Sequence, residues 1–413
     1  MELLDFYRIV KNPLKNDEII KQLVRCYGKN SKDLYSSIIS MENPAYIKYN
    51  TKEGKKSINK INVYLMKLWK KNINSFPTAM LTPAEQKIKS IINKYNMVYT
   101  PEIVNEIMTR INSVENNTNN ILPLHYDKTN NWQYVKSDDY NLFDNTFVNN
   151  NTEHNIYINV NQKYLDKLCI PFIKECQKRN IPYSLKFNIA ENCNDTIVVY
   201  SDTKHLLEHT KILNDIINES SLLRDSIEQP SILKGRLGSY LGYGSQSKAN
   251  EVSYSKKRTT LITEAITDYY RSCLNNVKTN EDFYQKLIKN LHTLVVNEMK
   301  KRIKKNPNTK RATLYSNNIN NSDVIYRNIL LLLKNYSISE KSKQLVDEAT
   351  KMIVLDEIVN NKKHIENIRA HINEKCKENA IDYNSFCFDM STIKDMLTEV
   401  KPYQREKLLR KSK

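Results

Sequence analysis

Glycine is scarce in this chain, with six among 413 residues. Tryptophan occurs twice. The scarcity matters because glycine-rich loops cradle phosphates in the Walker and Rossmann motifs. Neither motif is present: no Gly-Lys-Ser/Thr occurs, and no GxGxxG joins a strand to a helix. Long apolar runs are also missing. The longest, Ile329–Leu333, is far too short to span a bilayer, and no basic, then apolar, leader opens the sequence at Met1-Glu2-Leu3-Leu4-Asp5. The seven cysteines include no CxxC pair; Cys169 and Cys176 stand seven apart. That spacing argues against a disulfide framework or a structural zinc, so a reducing cytoplasm is expected, with no metal and no membrane partner.

What is abundant is Lys, Asn, Ile and Tyr, residues of AT-rich codons. The composition reads as that of a low-GC bacterium or phage, and codon drift accounts for part of the net charge of +18. That charge is uneven. Residues 1–100 carry +10, residues 101–300 carry −1 and residues 301–413 carry +9. Basic flanks around a neutral centre argue against one continuous nucleic-acid groove. A local patch remains open, because Lys300-Lys301-Arg302-Ile303-Lys304-Lys305 with Lys310-Arg311 places seven cations in twelve residues. Tyr315 is the one aromatic nearby, which gives bases little to stack on.

Periodicity divides the chain. Apolar residues recur at helical spacing in 17–26, 61–69, 83 onward and 102–114. The stretch 116–152 is dominated by Asn, Asp and Thr and reads as loops, with a short strand near Trp132-Gln133-Tyr134-Val135. Ile156, Ile158 and Val160 then alternate with Asn155, Tyr157 and Asn159, predicting a strand. A helix over 162–179 follows, with Pro171 expected to bend or break it. Strands are predicted at Tyr183–Ile189 and Ile197–Tyr200, and a helix over 203–218. From Leu261 onward the pattern is helical. The expected architecture is α+β: a small central mixed sheet, in β-α-β-β-α order, with predominantly helical flanks. Its expected divisions are a helical region 1–115, a linker 116–152, a core 153–262 and a helical region 263–413.

Four constellations stand out. Four of the six glycines fall between 235 and 244, marking backbone that side chains must not crowd; turns in a long connection would explain them, and so would a shaped cleft. His205-Leu206-Leu207-Glu208-His209 fits HxxEH, but no downstream acidic ligand is evident and a solvated helix face is the better reading. Lys186 shares its strand phase with Ser184 and Asn188, away from Leu185 and Phe187, and so sits on the open face of a half-wet sheet or on the floor of a cleft. Ser253-Tyr254-Ser255-Lys256-Lys257-Arg258 leads into a helix, and the planar fork of Arg258 suits an oxyanion.

The succession Ile181-Pro182-Tyr183-Ser184-Leu185-Lys186-Phe187, Asp195-Thr196-Ile197-Val198-Val199-Tyr200, Pro230, a Gly242-Tyr243-Gly244-Ser245 turn and Ser253-Tyr254-x-x-x-Arg258 resembles the HopA-type type III effector family. Relatives of that family in lanthipeptide and thioamide-peptide pathways act as phosphothreonine and phosphoserine lyases beside a kinase. The resemblance covers about residues 153–262 and departs at Gln246, where the family often has an acid. It implies cofactor-independent elimination of phosphate from a phosphorylated peptide or protein. On that reading Lys186 is base or phosphate ligand, and Tyr200 or His154 is acid or positions the phosphate. Lys234, Arg236, Gly242, Gly244, Ser253 and Arg258 form the phosphate and substrate site. A lysine acts as a base only as the neutral amine, a form that burial or neighbouring cations favour. The competing expectations are a nucleic-acid-binding protein using the basic flanks, and a non-catalytic interaction scaffold.

Overall fold

The computed structural model describes residues 3–42, 52–75, 77–81, 83–95, 100–112, 124–127, 132–137, 154–188, 195–245, 253–305 and 307–399. Most of the Asn-rich stretch, together with Gln246 and Lys248, lies outside them. The helices in chain order begin with α1 (Leu3–Ile9), α2 (Asp17–Lys29), α3 (Leu34–Glu42), α4 (Lys52–Ser75), α5 (Pro83–Lys94) and α6 (Pro101–Asn112). Strands β1 (Leu124–Asp127), β2 (Trp132–Lys136) and β3 (His154–Val160) follow, then α7 (Leu165–Lys178), β4 (Ser184–Asn188), β5 (Ile197–Ser201), α8 (Leu206–Glu219) and α9 (Ser221–Ser226). After β6 (Ile227–Glu228), β7 (Gly235–Leu237) and β8 (Leu241–Ser245), the rest is helical: α10 (Tyr254–Asn275), α11 (Glu281–Lys305), α12 (Lys310–Asn318), α13 (Ser322–Lys334), α14 (Glu340–Asn360), α15 (Lys362–Glu378) and α16 (Met390–Glu399). The protein is thus α+β and mostly helical.

The chain divides into two compact units at other places than composition suggests. One comprises residues 1–15, 38–258 and 376–413; the other comprises 16–37 and 259–375. The physical reason lies in amphipathic faces. Residues 387–389 hydrogen-bond to the end of β8, where Ser245 N–H donates to the Cys387 carbonyl (2.7 Å) and Asp389 N–H to Ser245 Oγ (2.6 Å). In the second unit, α2 buries Ile20, Leu23, Val24 and Tyr27, and Leu355 of α14 comes within contact distance of Gly28.

The sheet of the first unit runs β1-β2-β4-β5-β3-β8-β7, with β6 pairing β3. Among the described residues every pairing is antiparallel, not mixed as expected. The β3-α7-β4 crossover invites a parallel pair, but β5 enters between β3 and β4 and runs antiparallel to both. One face carries Ile156, Ile158, Leu185, Phe187, Ile197, Val199, Leu241 and Tyr243. These form a single core with Leu168, Phe172, Ile173 and Cys176 of α7 and Leu206, Ile212, Leu213 and Ile217 of α8. Helix α7 continues through Pro171 rather than breaking there. Its first turn is held by Ser57 of α4, whose Oγ donates to Asp166 Oδ1 (2.7 Å) and accepts from Asp166 N–H (2.8 Å), satisfying one of the donors a helix start leaves open. The N-terminal helices add a small core of Met66, Leu81, Ile88, Ile92, Val104 and Ile107.

The second unit is built on α11, whose Phe283, Leu287, Leu291, Val295 and Met299 recur every fourth residue and pack against Ile325 and Ile329 of α13 and Leu345, Ala349 and Ile353 of α14.

Candidate functional site

Directly opposed residues of paired strands share a sheet face. The register therefore puts Lys186, Val198, Tyr157 and Gly242 in one row across β4, β5, β3 and β8. Ser184, Tyr200, Asn155 and Gly244 form the next. These rows lie on the face away from α7 and α8.

Cations and aromatic rings interleave there. Lys186 Nζ stands 4.6 Å from the Trp132 ring centroid and 5.6 Å from that of Tyr200. Lys234, fully buried, comes from the turn before β7. Its Nζ lies 3.5 Å over the Tyr157 ring and 4.6 Å from that of Tyr254, donates to Ser255 Oγ (2.6 Å) and sits 3.6 Å from Asp195 Oδ2. Ring faces carry negative potential, so each attracts the ammonium above it. Tyr254 is fixed by donating to the Leu233 carbonyl (2.7 Å). Arg258, one helical turn on, stacks 4.6 Å over that same ring.

Burial raises the phenol pKa of Tyr157 and Tyr200, since a phenolate would be poorly solvated. The nearby charge of Asp195 raises Tyr157 further, while Lys186 and Arg258 oppose it. Both tyrosines are therefore neutral phenols at neutral pH, and of the two Tyr200 keeps partial exposure.

The other expected site residues fall differently. Arg258 has no exposed surface; its Nη2 lies 2.8 Å from Asp389 Oδ1 and its Nε donates to the Phe386 carbonyl (3.2 Å). The Asp389 contact is charge against charge rather than a well-directed hydrogen bond. Arg258 is thus committed to the chain itself, which does not suit an oxyanion clamp. His154 is in phase with Ile156 and so faces the helix-covered core, across the sheet from Lys186. Its ring nitrogens meet Tyr243 Oη (2.7 Å) and Thr203 Oγ1 (3.0 Å), and burial pushes its pKa down to about 3. It cannot serve as the acid beside Lys186. Arg236 is half-buried and donates to the Pro230 carbonyl. Ser253 is exposed just before α10.

Gly238 has a φ of 71° and serves a turn, whereas Gly235, Gly242 and Gly244 receive side chains of this chain. A Cβ at Gly244 would lie 2.7 Å from the Tyr254 ring, and one at Gly242 would lie 2.7 Å from Pro230 Cβ. The HxxEH histidines also have protein partners: His205 Nδ1 lies 2.8 Å from Asp202 Oδ1, and His209 spans Ser201 Oγ and the Pro182 carbonyl, each at 2.8 Å. Among the described residues no three His, Cys, Asp or Glu side chains gather as metal ligands would.

Sequence reasoning missed Tyr157, Tyr254, Trp132, Asp195 and Asp389. Tyr157 was legible as the residue in phase with Asn155 on a strand whose other face is aliphatic. Tyr254 was legible at one helical turn from Arg258. Asp389 carries no local signal, being 131 residues from its partner. Comparison of the chain with family models, curated proteins and solved structures gives no match.

Proposed function

We propose that the face bearing Lys186 and Tyr200 binds a phosphoryl group and eliminates it from phosphothreonine or phosphoserine in a peptide or protein. The observation that carries this reading is the pairing of a half-buried lysine with a half-buried, protonated tyrosine on one face of the sheet. Elimination needs a base and an acid at adjacent positions. Lys186 takes the Cα proton after releasing to solvent the proton that its ammonium carries beside the Trp132 and Tyr200 rings. Electrons of that C–H bond form the Cα–Cβ double bond, and the Cβ–O bond breaks. Tyr200 protonates the departing phosphate oxygen. Lys234 contributes positive potential from above Tyr157, in the row of Lys186, held in place by Tyr157 and Ser255 and partly offset by Asp195. No redox partner or water is consumed.

The test is incubation with a phosphothreonine peptide and mass spectrometry. Loss of phosphoric acid, leaving the dehydrated residue, supports the reading, and Lys186→Ala should abolish it. Release of phosphate with recovery of free threonine would indicate hydrolysis and defeat the proposal; so would inertness toward every phosphopeptide tried.

A second reading, a non-catalytic interaction scaffold, is favoured by a specific feature. Arg258 and Lys234 already have carboxylates within the fold, Asp389 and Asp195. A scaffold would bind phosphopeptide and release it unchanged, which the same experiment distinguishes.

A further inference from the structure

The helical unit of residues 16–37 and 259–375 exposes an apolar surface where its charge is most one-sided. Helix α13 buries Ile325 and Ile329 on its inner side. Its outer side carries Tyr326, Leu330 and Leu331, all exposed, with Arg327 and Lys334 between and beyond them. At the turn after it Ile338 is 84% exposed, and Leu314 of α12 is 60% exposed. Between Glu298 and Asp323 there is no acidic residue, while Lys300, Lys301, Arg302, Lys304, Lys305, Lys310 and Arg311 fall in that interval. The two features meet. Arg302, Lys341 and Leu331 line one cavity of about 210 Å³ at the junction of α11, α13 and α14 together with Glu298, which lies 3.7 Å from Lys341 Nζ, and Lys310 stands one helical turn before Leu314.

We propose that this surface docks on an anionic phospholipid bilayer. Three observations choose that occupant. Cations outnumber acids there, with Glu298 paired to Lys301 and Lys341, and a net positive surface selects an anionic partner and disfavours a second copy of itself. Exposed leucine and isoleucine gain by entering an acyl boundary and gain nothing from phosphates. Tyr326, exposed beside the aliphatic residues, suits the headgroup level, where an apolar ring and a polar hydroxyl are both accommodated; the hydroxyl of Tyr336, also exposed, donates to Asp347 (3.0 Å). Nucleic acid fits less well: Tyr315, on the basic stretch, has its hydroxyl bonded to Arg302 (3.0 Å), whose guanidinium also faces the ring. No helix among the described residues is long and apolar enough to cross a membrane, so docking is at the surface. This refines the expectation of no membrane partner, which rested on spanning segments alone.

The experiment is co-sedimentation of the full chain with phosphatidylcholine vesicles, with phosphatidylcholine/phosphatidylserine vesicles, and retention on single-stranded RNA. Binding to the phosphatidylserine vesicles and not to phosphatidylcholine alone is expected. Lys304→Gln and Lys305→Gln should each weaken it about five-fold, the effect of one surface cation. Leu330→Gln and Ile338→Gln should each weaken it on the order of tenfold, the effect of withdrawing an aliphatic side chain from the acyl boundary. Ile338 lies outside the helices, so that variant keeps the test sound if Leu330→Gln disturbs the fold. Equal binding by the aliphatic variants, with RNA retention lost in the lysine variants, would assign the surface to a nucleic acid and overturn the proposal. Failure to bind either vesicle would overturn it as well.

Discussion

Arg258 and Asp389 make a closed ion pair, and breaking it should cost the first unit most of its margin of stability. Each is almost completely buried, and they meet at 2.8 Å. Removing one partner of a buried pair leaves the other charged and poorly solvated, at a cost of about 3–5 kcal/mol. The two halves of the pair are not equivalent. In Arg258→Met, the Asp389 carboxylate keeps Lys257 Nζ at 3.5 Å. In Asp389→Ala, the guanidinium retains only the Phe386 carbonyl and the faces of Tyr254 and Phe386. Asp389→Ala should therefore sit at the upper end of that range and Arg258→Met at the lower. The double variant should cost less than the sum, because it strands neither charge. Both tryptophans, Trp69 and Trp132, belong to the same unit as the pair. Their fluorescence during urea unfolding reports that unit without interference from the other. In thermal melts the larger loss corresponds to a fall of about 10 °C. If Asp389→Ala costs under about 1 kcal/mol and the two changes simply add, the guanidinium is not held by Asp389. The reasoning would then be refuted, and Arg258 would return as a partner for an external phosphate.

Acidification should destabilise the same unit. His154 and His209 have native pKa values of about 3 and about 4 against 6.5 for a free imidazole, because burial disfavours the charged form. Below pH 6.5 the unfolded chain binds protons that the native state refuses, so stability is intact above that pH and falls as pH drops toward 4 and 3. At pH 5 each histidine costs about 2 kcal/mol, and a urea midpoint that stays level from pH 7 to 5 would contradict this. Gly244→Ala should cost about 1–3 kcal/mol, because the new Cβ meets the Tyr254 ring; an unchanged melt would show that Tyr254 can move away. Tyr200→Phe should slow phosphate elimination by about 10²–10⁴ while leaving phosphopeptide affinity nearly unaltered. Equal losses of rate and affinity would instead give Tyr200 a binding role.

The alternation of residues 155–160 and 183–189 was enough to place two strands and to put Lys186 away from the aliphatic face, because a period of two assigns faces without knowledge of partners; Ile197–Tyr200 does not alternate, and its pairing with β4 is what puts Tyr200 on the face of Lys186. The same rule places His154 with Ile156, in the core, so that error came from the resemblance and not from the pattern. The antiparallel order was not legible. It depends on β5 inserting between β3 and β4, and strand order is a long-range choice that local propensity does not encode. The division into units was hidden for the same reason. What joins residues 376–399 to the rest of the first unit is a handful of contacts such as Tyr7 Oη of α1 donating to Asp382 Oδ2 (2.5 Å) and Phe388 at 4.6 Å from Tyr243 of β8.

The glycine cluster shows how a correct local inference can point to the wrong occupant. Scarcity elsewhere made residues 235–244 conspicuous, and the conclusion that something approaches this backbone closely was sound. The approaching groups are Val10 and Cys387 at Gly235, and Pro230, the stem of Lys234 and Tyr254 at Gly242 and Gly244, while Gly238 makes a turn. That filling has a consequence for chemistry. With β8 covered by Tyr254 and Lys234, and Tyr157 buried beneath them, the β8 end of the face is closed. Trp132, Lys186 and Tyr200 keep partial exposure at the β2-β4-β5 end. On the proposed elimination, a substrate would therefore approach over β4 and β5. It would meet Lys186 and Tyr200 directly and feel Lys234 only through its field, as a charge that the fold has already oriented.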